Sequence, residues 1–153
     1  MADLFLERHV KHLPRAMFEL VSDLAAYPRF IPNCKAMDVR PQADGSQLAK
    51  MTIQFGPLTQ SYTSKVTADP QAMTITAVAT DGPFSYLDSK WTFEPEGQGT
   101  CVRFEIDFAF SNRLVAAVAE PAFSKKQREI MDAFLAEAAR RYSASGSPAK
   151  GVK

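Results

Sequence analysis

Two histidines, two cysteines and one closely spaced pair of carboxylates are the first residues of this 153-residue chain to test for chemistry. His9 and His12 stand three apart on a predicted strand and its end, which sends them to opposite faces and denies them a shared metal. Cys34 and Cys101 match no metal-ligand spacing, and Cys34 has no evident base to activate it. Two reduced, partly buried thiols are therefore expected. Glu105 and Asp107 share one strand face, as an acid–base pair would, but the alternation around them turns that face to water. No glycine-rich phosphate loop, nucleophile elbow or zinc-binding helix motif occurs. The residues thus predict no catalytic group and no metal site.

The remaining signal is apolar. Eleven Phe stand against one Trp and four Tyr, and Phe brings area without a polar handle, which suits a dry core or the wall of a hollow. Trp91, Phe104 and Phe108 on strands, with Phe123, Ile130 and Phe134 on a helix, suit a filled core as well as a cavity. Tyr62, Tyr86 and Trp91 each combine an apolar ring with a hydrogen-bond donor. Pro28 and Pro32 bracket Phe30 and Ile31, so that a stiff turn presents two apolar side chains as a lid, a membrane-touching tip or a plug. Net charge is +1, so no global field calls for DNA or an anionic surface. Lys125, Lys126, Arg128, Arg140 and Arg141 form a loosely basic helix side, ordinarily a solvated face.

These side chains need elements to hold them. Leu4 to Val10 alternates as a strand. Pro14 opens a helix carrying Met17, Phe18, Leu20, Val21 and Leu24, and Tyr27-Pro28 is expected to end it. Six alternating runs follow: 35–40, 46–55, 59–68, 72–79, 85–93 and 100–110. Turn residues such as Gly56-Pro57 and Asp81-Gly82-Pro83 separate them, which predicts an antiparallel sheet. Val102, Phe104, Ile106, Phe108 and Phe110 alternate with Arg103, Glu105 and Asp107, giving one dry and one wet face. Ser111 or Asn112 then caps a helix of about 30 residues, some 45 Å long, with a kink or break expected at Pro121. Only this helix is long enough to cover the sheet.

The prediction is one α+β domain over residues 1–142, a curved seven-stranded antiparallel sheet gripping a long C-terminal helix, with two short helices between strands 1 and 2. Residues 143–153, rich in Ser, Gly, Ala and Lys, are expected to be a disordered tail. The amino terminus lacks the pattern of a signal or transit peptide, and no uncharged apolar run nears the roughly 20 residues of a spanning helix. A cytoplasmic protein is expected.

Phe18-Glu19-Leu20-Val21-Ser22-Asp23, continuing to Tyr27-Pro28-Arg29-Phe30-Ile31-Pro32-Asn33-Cys34, resembles the opening of the coenzyme Q-binding protein family. Gly82-Pro83-Phe84 leading to Leu87 and Trp91-Thr92-Phe93, and the run from Val102 to Phe110, resemble it too. That family belongs to the START-like helix-grip superfamily, with the polyketide cyclases. The resemblance implies a non-enzymatic carrier or chaperone that holds ubiquinone or a related polyprenyl quinone as ligand, with no other cofactor, and supports aerobic electron transfer. It implies an apolar cavity walled by Phe30, Ile31, Tyr62, Phe84, Tyr86, Trp91, Phe104, Phe108, Phe123, Ile130 and Phe134. Peripheral contact with the cytoplasmic face of a bacterial inner membrane would follow. Bacterial relatives also carry the name ribosome association toxin, which implies the large ribosomal subunit as an alternative partner and its RNA as the target of the basic helix side. A cyclase-like enzyme is the third reading. The family expects Trp where Asn33 stands, and the approach from Leu13-Pro14 to Phe18 is about a turn shorter than usual. Both departures fall near the expected entrance and bear on ligand identity.

Overall fold

The computed structural model describes residues 2–143. Strand β1 (Ala2–Val10) leads into helix α1 (Pro14–Ser22), a 3-10 turn (Leu24–Ala26) and a single helical turn, α2 (Tyr27–Phe30). Six strands follow: β2 (Cys34–Pro41), β3 (Gln47–Phe55), β4 (Leu58–Asp69), β5 (Thr74–Ala79), β6 (Phe84–Glu96) and β7 (Gly99–Phe110). Helix α3 (Arg113–Ala138) closes the chain and runs on into a π-helical turn, Ala139–Ser143. The expected tail, 143–153, lies outside the described residues apart from the backbone of Ser143.

All seven strands join one antiparallel sheet in the order β1-β7-β6-β5-β4-β3-β2. Every connection from β2 to β7 is therefore a hairpin, as the turn residues require, and β1 returns to pair with β7 along its whole length. The dry face of β7 is as the alternation demands, with Val102, Phe104, Ile106, Phe108 and Phe110 all buried. Glu105 and Asp107 are exposed on the other face, away from the space between sheet and helix.

The helices obey their local signals with two exceptions. Pro14 occupies the first turn of α1, where its missing N–H costs nothing, and Met17, Leu20 and Val21 are fully buried. Asn112 caps α3, its side-chain oxygen accepting from the N–H groups of Leu114 and Val115 at 2.8 and 3.2 Å. Tyr27-Pro28, expected to end a helix, instead begins one: α1 stops at Ser22, and Pro28 sits in the first turn of α2. Pro121, expected to break or kink α3, lies inside an unbroken helix. Beside it the chain reverses between β3 and β4 at Gly56, whose φ is +59°. A Cβ there would come within 3.0 Å of the Ala122 Cβ, so the turn lies flush against the helix. Among the described residues, no helix is long and apolar enough to cross a membrane.

Candidate ligand-binding cavity

The space between sheet and helix is packed differently at its two ends. At one end Phe123 meets Phe55, Phe84 and Phe108 at ring-centroid distances of 5.1, 5.2 and 4.9 Å, and Phe84 meets Phe110 at 4.8 Å. All five rings are buried. Most of these pairs are tilted or edge-to-face, the geometries that aromatic quadrupoles favour. This end is solid.

Toward the other end the sheet offers small side chains instead. Ala49 stands opposite Ser64 in the β3–β4 register, and Ala77 opposite Ser89 in β5–β6. None of them reaches the helix, and a hollow of about 110 Å³ remains. Ile31 from the loop after α2, Tyr62 from β4, Trp91 and Phe104 from β6 and β7, and Ile130 and Phe134 from α3 supply its larger walls. The Trp91 ring lies 4.6 Å from Phe104 and 5.2 Å from Phe134, centroid to centroid. A hollow near 150 Å³ holds about one benzene ring, so a substituted ring enters this one only as a wall gives way.

No Asp, Glu, His, Lys or Arg is among the described residues that line it. The polar groups are neutral. Tyr62 donates its hydroxyl to the Met51 sulfur at 3.7 Å, a weak acceptor, and Ser89 reaches the Ala77 carbonyl oxygen only at 3.5 Å. The Tyr27 hydroxyl donates to the Val21 carbonyl oxygen. Burial pushes both the Tyr27 and the Tyr62 phenol well above the usual tyrosine range. Neither can serve as a base at neutral pH.

The predicted cavity residues divide. Ile31, Tyr62, Trp91, Phe104, Ile130 and Phe134 come together around the hollow. Phe84, Phe108 and Phe123 do not, because they build the solid end. Tyr86 is on the wrong face altogether, its hydroxyl donating to Asp107 at 3.3 Å on the outer side. A bulge at Ser85 is the reason: Phe84 pairs with Phe110 and Tyr86 with Ala109, so the alternation slips by one residue between them. Phe30 is half-buried outside the hollow, 5.4 Å from the Phe134 ring, with the Arg141 guanidinium 5.9 Å from its centroid. Ile31 is 3% exposed and plugs the core, while Phe30 beside it is only half-buried.

The expected basic helix side is also smaller than the sequence suggests. Lys126 lies at the third residue after Phe123 and the fourth before Ile130, within the inward stripe, and is 6% exposed. Its ammonium donates to the Asn33 side-chain oxygen at 2.8 Å and to Glu129 at 2.7 Å. Arg140 and Arg141 both bind Glu137, at 2.5 and 2.8 Å, which holds that carboxylate down at about 2. Lys125 and Arg128 remain as exposed cations without an ion pair among the described residues.

His9 and His12 do not meet. His9 instead shares the outer face with Glu7 and Cys101, whose ligand atoms all lie within 4.8 Å of one another. Glu7 there also accepts from Arg103 at 3.2 Å, and Glu96 accepts from the His9 Nδ1 at 2.7 Å. Cys34 and Cys101 are both buried free thiols, pushed up by that burial.

Sequence reasoning missed the residues that create the space. Ala49, Ser64, Ala77 and Ser89 carry no chemical signal singly; four small side chains at inward positions of neighbouring strands do. It also missed Gln127, buried at 7% exposure and lining the hollow. Its spacing from Phe123, Ile130 and Phe134 (four, three and seven residues) was the available sign, a polar residue inside the apolar stripe.

A seven-stranded antiparallel sheet closed over its own C-terminal helix, with a neutral hollow between them, defines a helix-grip domain of the START-like class. The chain belongs to the polyketide cyclase / dehydrase and lipid transport family, whose pattern matches residues 10–135. It is 32% identical over 129 residues to the ribosome association toxin RatA of Pseudomonas aeruginosa, covering 84% of this chain and 89% of that protein. It is 32% identical over 136 residues to the mitochondrial coenzyme Q-binding protein COQ10 of Drosophila melanogaster, covering 86% of this chain and 55% of that protein. The crystal structure of the Zhui aromatase/cyclase from a Streptomyces species superposes with a TM-score of 0.85 at 16% identity, over 94% of this chain and 98% of that one. At that identity the likeness concerns the fold.

Proposed function

We propose that this protein binds a neutral, largely apolar molecule of the polyprenyl quinone class and acts without catalysis, as a carrier or chaperone for respiratory electron transport. The observation that carries the reading is the hollow itself, largely apolar in its walls and lined, among the described residues, by no Asp, Glu, His, Lys or Arg. Such a site gains affinity from burying apolar area, at roughly 25 cal/mol per Å² before the costs of association. The similarity to a coenzyme Q-binding protein supports the choice of a quinone. A cyclase would require an acid–base pair active near neutral pH, and the ionisable groups among the described lining residues, the Tyr27 and Tyr62 phenols, are pushed well above the usual tyrosine range by burial.

The test is mass spectrometry of organic extracts from protein purified out of a quinone-producing host. Ubiquinone in stoichiometric yield is expected. Empty extracts, together with no shift of melting temperature on adding a short-chain quinone, would overturn the proposal.

A second reading, association with the large ribosomal subunit, is favoured by the similarity to RatA. With Lys126 buried and Arg140 and Arg141 held by Glu137, a basic RNA-binding face on α3 is weakened. Sucrose-gradient sedimentation separates the readings: co-migration with the large subunit would favour this one.

A further inference from the structure

Gln127 and Ser64 are polar groups for which the folded protein has no internal use. Both line the hollow, and they are 7% and 6% exposed. Neither the Gln127 carboxamide nor the Ser64 hydroxyl has a hydrogen-bond partner among the described residues. Buried polar groups are nearly always satisfied, and an exception calls for an explanation. The contrast with the adjacent residue is direct: the Lys126 side chain, equally buried, donates to both Asn33 and Glu129.

We infer that Gln127 from the helix and Ser64 from the sheet, two lining groups left without a partner among the described residues, read an uncharged carbonyl or hydroxyl group on an otherwise apolar ligand. This inference rests on the carrier reading above and narrows it. A carboxamide donates through its NH₂ and accepts through its oxygen, and a hydroxyl does both. The pair therefore meets a quinone carbonyl or a quinol hydroxyl without a change of protonation in the protein. An anionic head group is excluded by the same chemistry. Among the described residues no cation lines the hollow, and a carboxylate buried without a partner is strongly disfavoured.

The test uses the fluorescence of Trp91, the single tryptophan of the chain, which stands in the cavity wall. The probes are a benzoquinone bearing a decyl chain, dodecanol and dodecanoate, added to wild type, Gln127→Leu and Ser64→Ala. Wild type is expected to bind the quinone and the alcohol and to discriminate against dodecanoate at pH 7.5. Gln127→Leu is expected to weaken the quinone by about tenfold, the effect of one hydrogen bond to a buried group, while the ligand-free melting temperature rises. A purely structural glutamine would lower it. Ser64→Ala supplies the same comparison should Gln127→Leu fail to fold. Equal quinone affinity in wild type and variants, or dodecanoate binding as well as dodecanol, overturns this inference and leaves the carrier reading intact. If wild type binds none of the three probes, both fall.

Discussion

The Lys126 ammonium lies 2.8 Å from the Asn33 side-chain oxygen, and this contact ties the middle of the C-terminal helix to the loop that carries Ile31 into the cavity wall. Asn33 is suited to the task twice over. Its backbone has φ +64°, a left-handed conformation that Asn tolerates better than most residues, and its side chain satisfies a buried cation. Asn33 is thus the residue that fastens the loop.

Replacing Asn33 separates the two contributions. Asn33→Ala loses the bond to Lys126 and places an alanine at positive φ, so a loss of about 2–3 kcal/mol is expected in urea denaturation. Asn33→Gly loses only the bond and should be the milder variant by about 1 kcal/mol. Equal losses would show that the backbone conformation carries no cost. Both variants should exchange a bound quinone faster than wild type, because the loop over the hollow is released.

Filling the hollow should block loading without unfolding the protein. Ala77→Leu adds three carbons on a cavity-lining strand position. The added apolar burial is worth up to about 2 kcal/mol, so an unchanged or higher melting temperature is expected alongside lost quenching of Trp91 by quinone. A collapse in stability would mean that the space is not free to be filled.

The two histidines should titrate on opposite sides of 6.5. The hydrogen bond to Glu96 raises His9, while burial lowers His12. The signs differ in their consequences. The favourable His9 contact is complete below the unfolded value and fades as pH rises through the folded one. The cost of charging His12 appears as pH falls below 6.5. Two-dimensional NMR of the imidazole protons checks both, and Glu96→Gln should bring His9 down toward its ordinary value.

Glu137 should stabilise the helix end only when ionised. The bonds from Arg140 and then Arg141 hold its carboxyl at about 2, below the unfolded carboxylate range near 4.3. Its contribution is therefore fully present above that range and is lost as pH falls toward 2. Arg140 is 72% exposed, so solvent screening limits the effect. Glu137→Gln should cost under about 1 kcal/mol at pH 7 and less at pH 3, measured by thermal melts at the two values.

Much of the architecture was legible because it rests on period and punctuation. The alternation from Val102 to Phe110 and the turn residues at Gly56-Pro57 and Asp81-Gly82-Pro83 specify strands and reversals with no help from tertiary context. The cavity was less legible, since an aromatic side chain looks the same whether it fills a core or lines a space. What distinguishes them is absence of bulk at Ala49, Ser64, Ala77 and Ser89, which emerges only when the strands are placed in register. Lys126, Arg140 and Arg141 misled for a related reason: each charge reads as part of a solvated face until its partner, distant Asn33 for the lysine and Glu137 for the arginines, is placed beside it.

The bulge at Ser85 gives β6 two phases along one strand. Before it, Phe84 points inward by one count; after it, Leu87, Ser89 and Trp91 point inward by the other. A single extra residue lets the same strand serve both the dense aromatic end and the open end, which a strict two-residue rhythm would forbid. Because Ser85 is the extra residue, the two sides of the bulge keep their places against β7, with Phe84 opposite Phe110 and Leu87 opposite Phe108. Without the bulge, this same sequence would have to turn either Phe84 or the cavity-facing Leu87, Ser89 and Trp91 toward solvent.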